Sequence, residues 1–461
     1  MPSSEAWSLE SKAARREARR EQYEFAAELP AKYEGRAPGG NWQLWAIPLL
    51  LSLAGVVMIA SLTSRSGQAG ELAFYWQAFR QFRFLICGLV LMYLCCFVPL
   101  SWMRRLSFLL WILAVALTTA TLFPSLGGVR VGGASRWLIL LGLQFQPLEI
   151  LTLAVPMFLA ARLSTSKRED SERFLRPTLL IAVISAAPLF FQPNMGGIIL
   201  VFGICISMHV VDRGWKYPIY GGVILFLLFV LMIYSEEYRM RRLFAFLNPW
   251  DDPMNRGFQI IQGLVAFSNG GVMGIGIGRG LQTLNFLPAA QTDYIFPAIG
   301  EEFGLVGTLF IVLLYAFWTF KAYMLYRSSD DPYISVLIWG LVASILFPMF
   351  VNLGGVMKLM PLTGIPLPFV SLGGTSLIIM WAKVGILMRI AREISLPVHV
   401  HSNQQDREAV PASRHRNSEF VLAREPAFYR EPAFPAARGQ VAWGISPARN
   451  KVWNLPPRKR P

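Results

Sequence analysis

Residues 236–304 read EEYRMRRLFAFLNPWDDPMNRGFQIIQGLVAFSNGGVMGIGIGRGLQTLNFLPAAQTDYIFPAIGEEFG, and strongly apolar runs flank them on both sides. A connection this long is a functional element more often than a spacer. It gathers arginines (Arg239, Arg241, Arg242, Arg256, Arg279), acids (Asp251, Asp252, Asp293, Glu301, Glu302) and a glycine run from Gly270 to Gly280. The glycines lack the spacing of a dinucleotide fingerprint or a phosphate loop. They predict a tight re-entrant turn or close helix packing instead.

Outward from this loop the chain is apolar. Of 461 residues, 54% are hydrophobic and 15% charged, the composition of a polytopic membrane protein. Ten segments, roughly 43–63, 79–99, 106–124, 146–163, 174–191, 195–211, 217–234, 303–325, 333–356 and 371–391, are each long enough to span a bilayer with some tilt. The fold class predicted is therefore all-α, with ten transmembrane helices in a domain over 42–394 and a large extracytoplasmic loop, 236–302, between helices 7 and 8. Arg104, Arg105, the basic 162–176 connection, Arg213, Lys216, Lys321 and Arg327 share one side, which the positive-inside rule makes cytoplasmic, and both termini fall there. Arg65, Arg80, Arg83, Arg130 and Arg136 fall on the other side, as expected of a face that handles an anionic headgroup.

Residues 1–41 are polar and read as a cytoplasmic N-terminal tail rather than a cleaved leader. Residues 395–461 are basic and Pro-rich, with a near repeat at Arg424–Phe428 and Arg430–Phe434, and read as a disordered cytoplasmic tail. The net charge of +15 is dispersed along loops and tails. It is not a nucleic-acid footprint, and it points to anionic lipid or anionic substrate. The four cysteines lie in apolar runs and no zinc spacing occurs, so neither a disulfide nor a metal cluster is expected.

Asp293 stands between Leu287-Pro288 and Tyr294-Ile295-Phe296, at a membrane boundary. Partial burial disfavours a charged carboxylate and tunes it toward general-base work. An equal alternative is a helix N-cap formed by Thr292 and Asp293. Glu149 and Asn194 lie at the ends of apolar segments, where polar groups face a cavity or a partner. For Glu149, a buried hydrogen bond holding helices in register stands level with catalysis. Arg136, beside Trp137, is an interfacial anchor or a ligand for an anionic headgroup. Lys383, inside the last span, snorkels or pairs with a buried acid.

Several separated blocks together resemble one family. They are Gly133-Ala-Ser-Arg-Trp137 with Phe145-Gln-Pro-Leu-Glu149, Gln192-Pro-Asn-Met-Gly196, Asn248-Pro-Trp-Asp-Asp-Pro253 through Gly257-Phe-Gln259, Phe286 through Phe296, Ile299-Gly-Glu-Glu302, and Gly364-Ile-Pro-Leu-Pro-Phe-Val-Ser-Leu-Gly-Gly374. In this order they resemble the SEDS proteins (shape, elongation, division, sporulation), typified by FtsW and RodA. Ile299–Glu302 and Leu284–Pro288 are closer to the FtsW branch, whereas Thr363–Pro368 is shared with RodA.

The resemblance implies a ten-helix peptidoglycan glycosyltransferase in the bacterial inner membrane. It would polymerise lipid II at the outer face during cell division, with a class B penicillin-binding protein and other divisome membrane proteins as partners. Asp293 would be the general base. Arg136, Glu149, Arg242, Gln259, Glu301 and Glu302 would shape the substrate site, and a divalent cation, magnesium or manganese, would help neutralise the departing pyrophosphate. RodA-like elongation, a lipid II flippase and a non-catalytic division scaffold are the rival readings. The chain departs from the family pattern at Leu148 (usually Ser), Thr152 (usually Lys), Asn194 (usually Asp) and Gln291 (usually His).

Overall fold

Apolar runs this long bury their backbone groups only as helices, and the computed structural model is built accordingly. It describes residues 41–63, 76–131, 134–140, 142–164, 171–214, 237–255, 257–282 and 286–395, with a few isolated residues between 219 and 230. Both tails, and most of the expected span 217–234, lie outside the described residues.

The elements in order are α1 (Gln43–Thr63), α2 (Trp76–Cys95), α3 (Leu100–Ala120), the strands β1 (Gly128–Val131), β2 (Ala134–Leu140) and β3 (Leu143–Phe145), then α4 (Pro147–Leu163), α5 (Ser171–Phe191) and α6 (Met195–Arg213). After them come α7 (Glu237–Leu247), α8 (Phe258–Gly270), α9 (Ile295–Arg327), α10 (Pro332–Val356) and α11 (Gly374–Ser395). Among the described residues seven helices, α1, α2, α3, α6, α9, α10 and α11, are long and apolar enough to cross a membrane. The chain is a multi-pass membrane protein. The 17-residue α4 is buried along most of its length, as its continuous apolar sequence requires.

Helix α10 packs on α4, α6 and α9, while α11 packs on α2. Small residues allow the close approaches that bind helices in a bilayer. A Cβ on Gly88 would meet the Trp381 ring at 2.8 Å, and one on Gly340 would meet Met208 and Pro156 at 2.6–2.8 Å. The buried Trp318 indole donates to the Leu44 carbonyl at 3.0 Å and so ties α9 to α1.

Two features differ from the sequence expectation. The all-α class is incomplete, because residues 128–145 form a three-stranded antiparallel sheet in the order β1-β2-β3. Its signal is a strand alternation too short to outweigh the surrounding apolar runs: Leu138 is buried and Ile139 exposed. The long loop is also largely helical. It contains α7 and α8, and α9 begins at Ile295 with a break at Gly304, where φ is 68°.

Candidate functional site

Asp293 lies in the turn that leads into α9, whose N-cap is Tyr294 with no side-chain cap bond. The N-cap alternative for Asp293 therefore falls away. The turn closes on itself through backbone bonds from Thr292 and Tyr294 to the Ala289 carbonyl at 3.0 and 3.2 Å. Asp293 is half-buried, between the core beneath it and the surface.

Three ties fix this turn to the strap of residues 363–373. Asn352, buried on α10, donates through Nδ2 to the carbonyls of Asp293 (2.9 Å) and Ile365 (2.8 Å). The Ser371 hydroxyl donates to the Thr292 carbonyl at 2.6 Å and accepts from the Leu367 amide at 2.8 Å. The Leu372 amide donates to the Gln291 carbonyl at 2.8 Å. The strap is itself anchored by the buried Tyr315 hydroxyl, which donates to the Pro368 carbonyl. Gly364 passes so close that a Cβ would lie 3.4 Å from Asp293 Oδ2, and its φ of +73° is one that glycine adopts freely. The carboxylate is thus held by its backbone, with a side-chain-free residue beside it.

The strap also brings the distant blocks together. A Cβ on Gly196 would meet Ile365 at 2.9 Å and Thr363 at 3.2 Å, which puts the 192–196 block against the strap. Asn194 Oδ1 caps α6 by accepting from the Gly197 amide at 3.1 Å, a duty asparagine and aspartate share, so this departure from the family pattern preserves the cap. Arg136, on β2, donates through Nη2 to the Pro193 carbonyl at 2.9 Å. Gln259 Nε2 donates to the Pro288 carbonyl at 3.3 Å, just before the turn. Gln291 contributes its backbone carbonyl to the strap.

The other predicted residues sit differently. Glu149 is buried on α4, near Ser376 and Lys383. Glu301 and Glu302 are sealed, at 0% and 1% exposure. Glu301 Oε1 accepts from the Gln282 amide at 3.0 Å, and both Glu302 oxygens accept from Ser61 at 2.7 and 2.8 Å. The Ile275 and Gly276 amides donate to the carbonyls of Glu301 and Glu302. This pair binds the glycine run to α9 and α1. The side chain of Arg242 lies outside the described residues. Sequence reasoning passed over Asn352 and the individual role of Ser371. The signal for Asn352 is a lone amide in an apolar helix, which is costly there unless it is bonded.

The sequence pattern of the cell cycle protein family of FtsW, RodA and SpoVE matches residues 41–396. The probable peptidoglycan glycosyltransferase FtsW of Geobacter metallireducens is 34% identical over 347 residues, which cover 74% of this chain and 92% of that protein. Stage V sporulation protein E of Bacillus subtilis is 34% identical over 350 residues, covering 75% and 95%. Among solved structures, a chain of a peptidoglycan synthase complex that coordinates polymerization and crosslinking superposes with a TM-score of 0.65, at 25% identity, over 77% of this chain and 99% of its own. The rod shape determining protein RodA of Thermus thermophilus shares the fold, with a TM-score of 0.59, 24% identity, and 78% and 99% coverage. On these grounds, and on the motifs its strap draws together, the chain belongs to the SEDS family of FtsW, RodA and SpoVE, and it is FtsW-like.

Proposed function

We propose that this protein is a peptidoglycan glycosyltransferase that polymerises lipid II into glycan strands, with Asp293 as its general base. The observation that carries the reading is the half-buried Asp293 turn, clamped at Asn352 and Ser371 and standing beside Gly364, in a chain whose relatives bear the name peptidoglycan glycosyltransferase. A neutral sugar hydroxyl attacks poorly, and a positioned carboxylate that accepts its proton contributes typically about 10²–10⁴-fold. As the new C–O bond forms at the anomeric carbon, the bond to undecaprenyl pyrophosphate breaks on the opposite face, with inversion. The leaving group carries the negative charge away, and cations must meet it.

Arg136 is one candidate for that task and Arg242 another. Among the described residues no three metal-ligating side chains gather. Magnesium or manganese would have to arrive on the pyrophosphate oxygens, and no step here is routed through it.

In this reading ten helices span the inner membrane with both termini in the cytoplasm, and the 236–302 loop faces outward to the lipid-linked donor. A class B penicillin-binding protein is the partner that would crosslink the product, and division is the setting. The test is lipid II polymerisation by the purified protein in detergent, with and without a cognate class B penicillin-binding protein, comparing wild type with Asp293→Asn. Glycan chains from the wild type alone support the reading. Equal chain formation by both would remove Asp293 as the base, and none from either, with lipid II still bound, would favour transport or scaffolding.

A further inference from the structure

Lys383 is 0% exposed, midway along α11. An ammonium at such depth is costly unless it is paired and hydrogen-bonded. Its Nζ donates to Thr152 Oγ1 at 2.9 Å and to the Ser344 carbonyl at 3.3 Å. Pro348 in α10 offers no N–H to the Ser344 carbonyl one turn earlier, which leaves that oxygen for the ammonium. The acid is Glu149, one turn before Thr152 on α4, and it and Lys383 attract one another. The Thr152 hydroxyl also donates to the Glu149 backbone carbonyl at 2.8 Å.

The head of α4 and the strap meet at the start of α11, where Ser376 stands close to the Glu149 carboxyl. The Gln146 amide, at the head of α4, donates to Thr375 Oγ1 at 3.4 Å. Thr375 and Ser376 directly follow the strap that holds the Asp293 turn. The family pattern has a lysine where this chain has Thr152, and the 2.9 Å bond brings the Lys383 ammonium up against that very side chain.

We propose that Lys383 is a positioning residue for the reaction: from α11 it supplies the buried cation that, through Thr152, holds Glu149 and the head of α4 and, through the Gln146–Thr375 bond, the strap behind Asp293. The charge has been relocated from α4 to α11, not lost. This rests on the glycosyltransferase reading above.

The test compares Lys383→Met, the relocated variant Thr152→Lys/Lys383→Met, and the neutral pair Glu149→Gln/Lys383→Met in the full-length protein. Each is assayed for lipid II polymerisation, thermal melting and deuterium uptake over residues 363–373. Lys383→Met should lower kcat about 100-fold, the scale of a misplaced catalytic group, raise uptake in the strap and leave KM for lipid II nearly unchanged. The relocated variant should recover most of the lost turnover and protection, and recovery of fold from a Lys383→Met that does not fold counts equally. A relocated variant no better than Lys383→Met in fold or turnover overturns the proposal. So does a neutral pair with wild-type turnover, because a lock that only packs helices survives loss of both charges. If the wild type makes no glycan, the glycosyltransferase reading fails while the uptake comparison still decides whether Lys383 holds the strap.

Discussion

Asp293 and the pair Glu301 and Glu302 stand eight residues apart in one loop and look alike on paper, yet the fold treats them oppositely. Around Asp293 the backbone is gripped: Asn352 and Ser371 hold the carbonyls of residues 293 and 292. Around Glu301 and Glu302 the ties reach the carboxylates as well as the backbone, from the Gln282 amide and the Ser61 hydroxyl, and both side chains are sealed. A backbone that is held while its carboxylate stays half-buried suits a group that must exchange a proton. A carboxylate saturated with donors inside a packed loop suits a clamp.

The sharpest way to break this contrast is Asp293→Asn. Glycan formation should fall about 10²–10⁴-fold, while melting in detergent moves little because the backbone bonds from Asn352 and Ser371 that hold the turn remain. A comparable loss of stability would make Asp293 a clamp as well.

Gly274→Ala should do the reverse. A Cβ there would sit 2.2 Å from the Glu302 carbonyl at a φ of +79°, so the change should cost upward of about 3 kcal/mol in strain and clash. Residual activity per folded molecule should stay near wild type. Between the two lies Asn352→Ala, which strips donors from two carbonyls at about 1–3 kcal/mol each. It should lower both the melting temperature and kcat, since Asn352 touches the backbone of Asp293 and of the strap together.

The spans were legible because 54% hydrophobicity in long runs leaves a chain few choices besides membrane helices. The special place of Asp293 was legible as a carboxylate at a boundary. Its supports were not, because Asn352 and Ser371 act across 59 and 79 residues of sequence, and no local periodicity encodes a bond of that length. The glycine run was read correctly as close packing: Gly270 and Gly274 press on the backbone of residues 300–303, where a side chain would collide. The sheet over residues 128–145 escaped because its strands, three to seven residues long, alternate too briefly to stand out between the apolar runs. Glu301 and Glu302 enter the substrate site through the resemblance of the Ile299–Glu302 block, and a sequence block says nothing about which way its side chains are turned.

The smallest expected effect decides the most about that grouping. Ser61 is on α1, outside the loop, and its hydroxyl reaches both oxygens of Glu302 at 2.7 and 2.8 Å. Ser61→Ala removes the donor and leaves the carboxylate buried, which should cost about 1.5 kcal/mol, the lower range for hydrogen bonds to charged groups. If Glu302 is a clamp, the melting temperature drops and kcat and KM for lipid II both hold in the folded fraction. If Glu302 instead binds substrate, freeing it from Ser61 changes KM at unchanged stability, and the division of labour between the two ends of this loop would have to be redrawn.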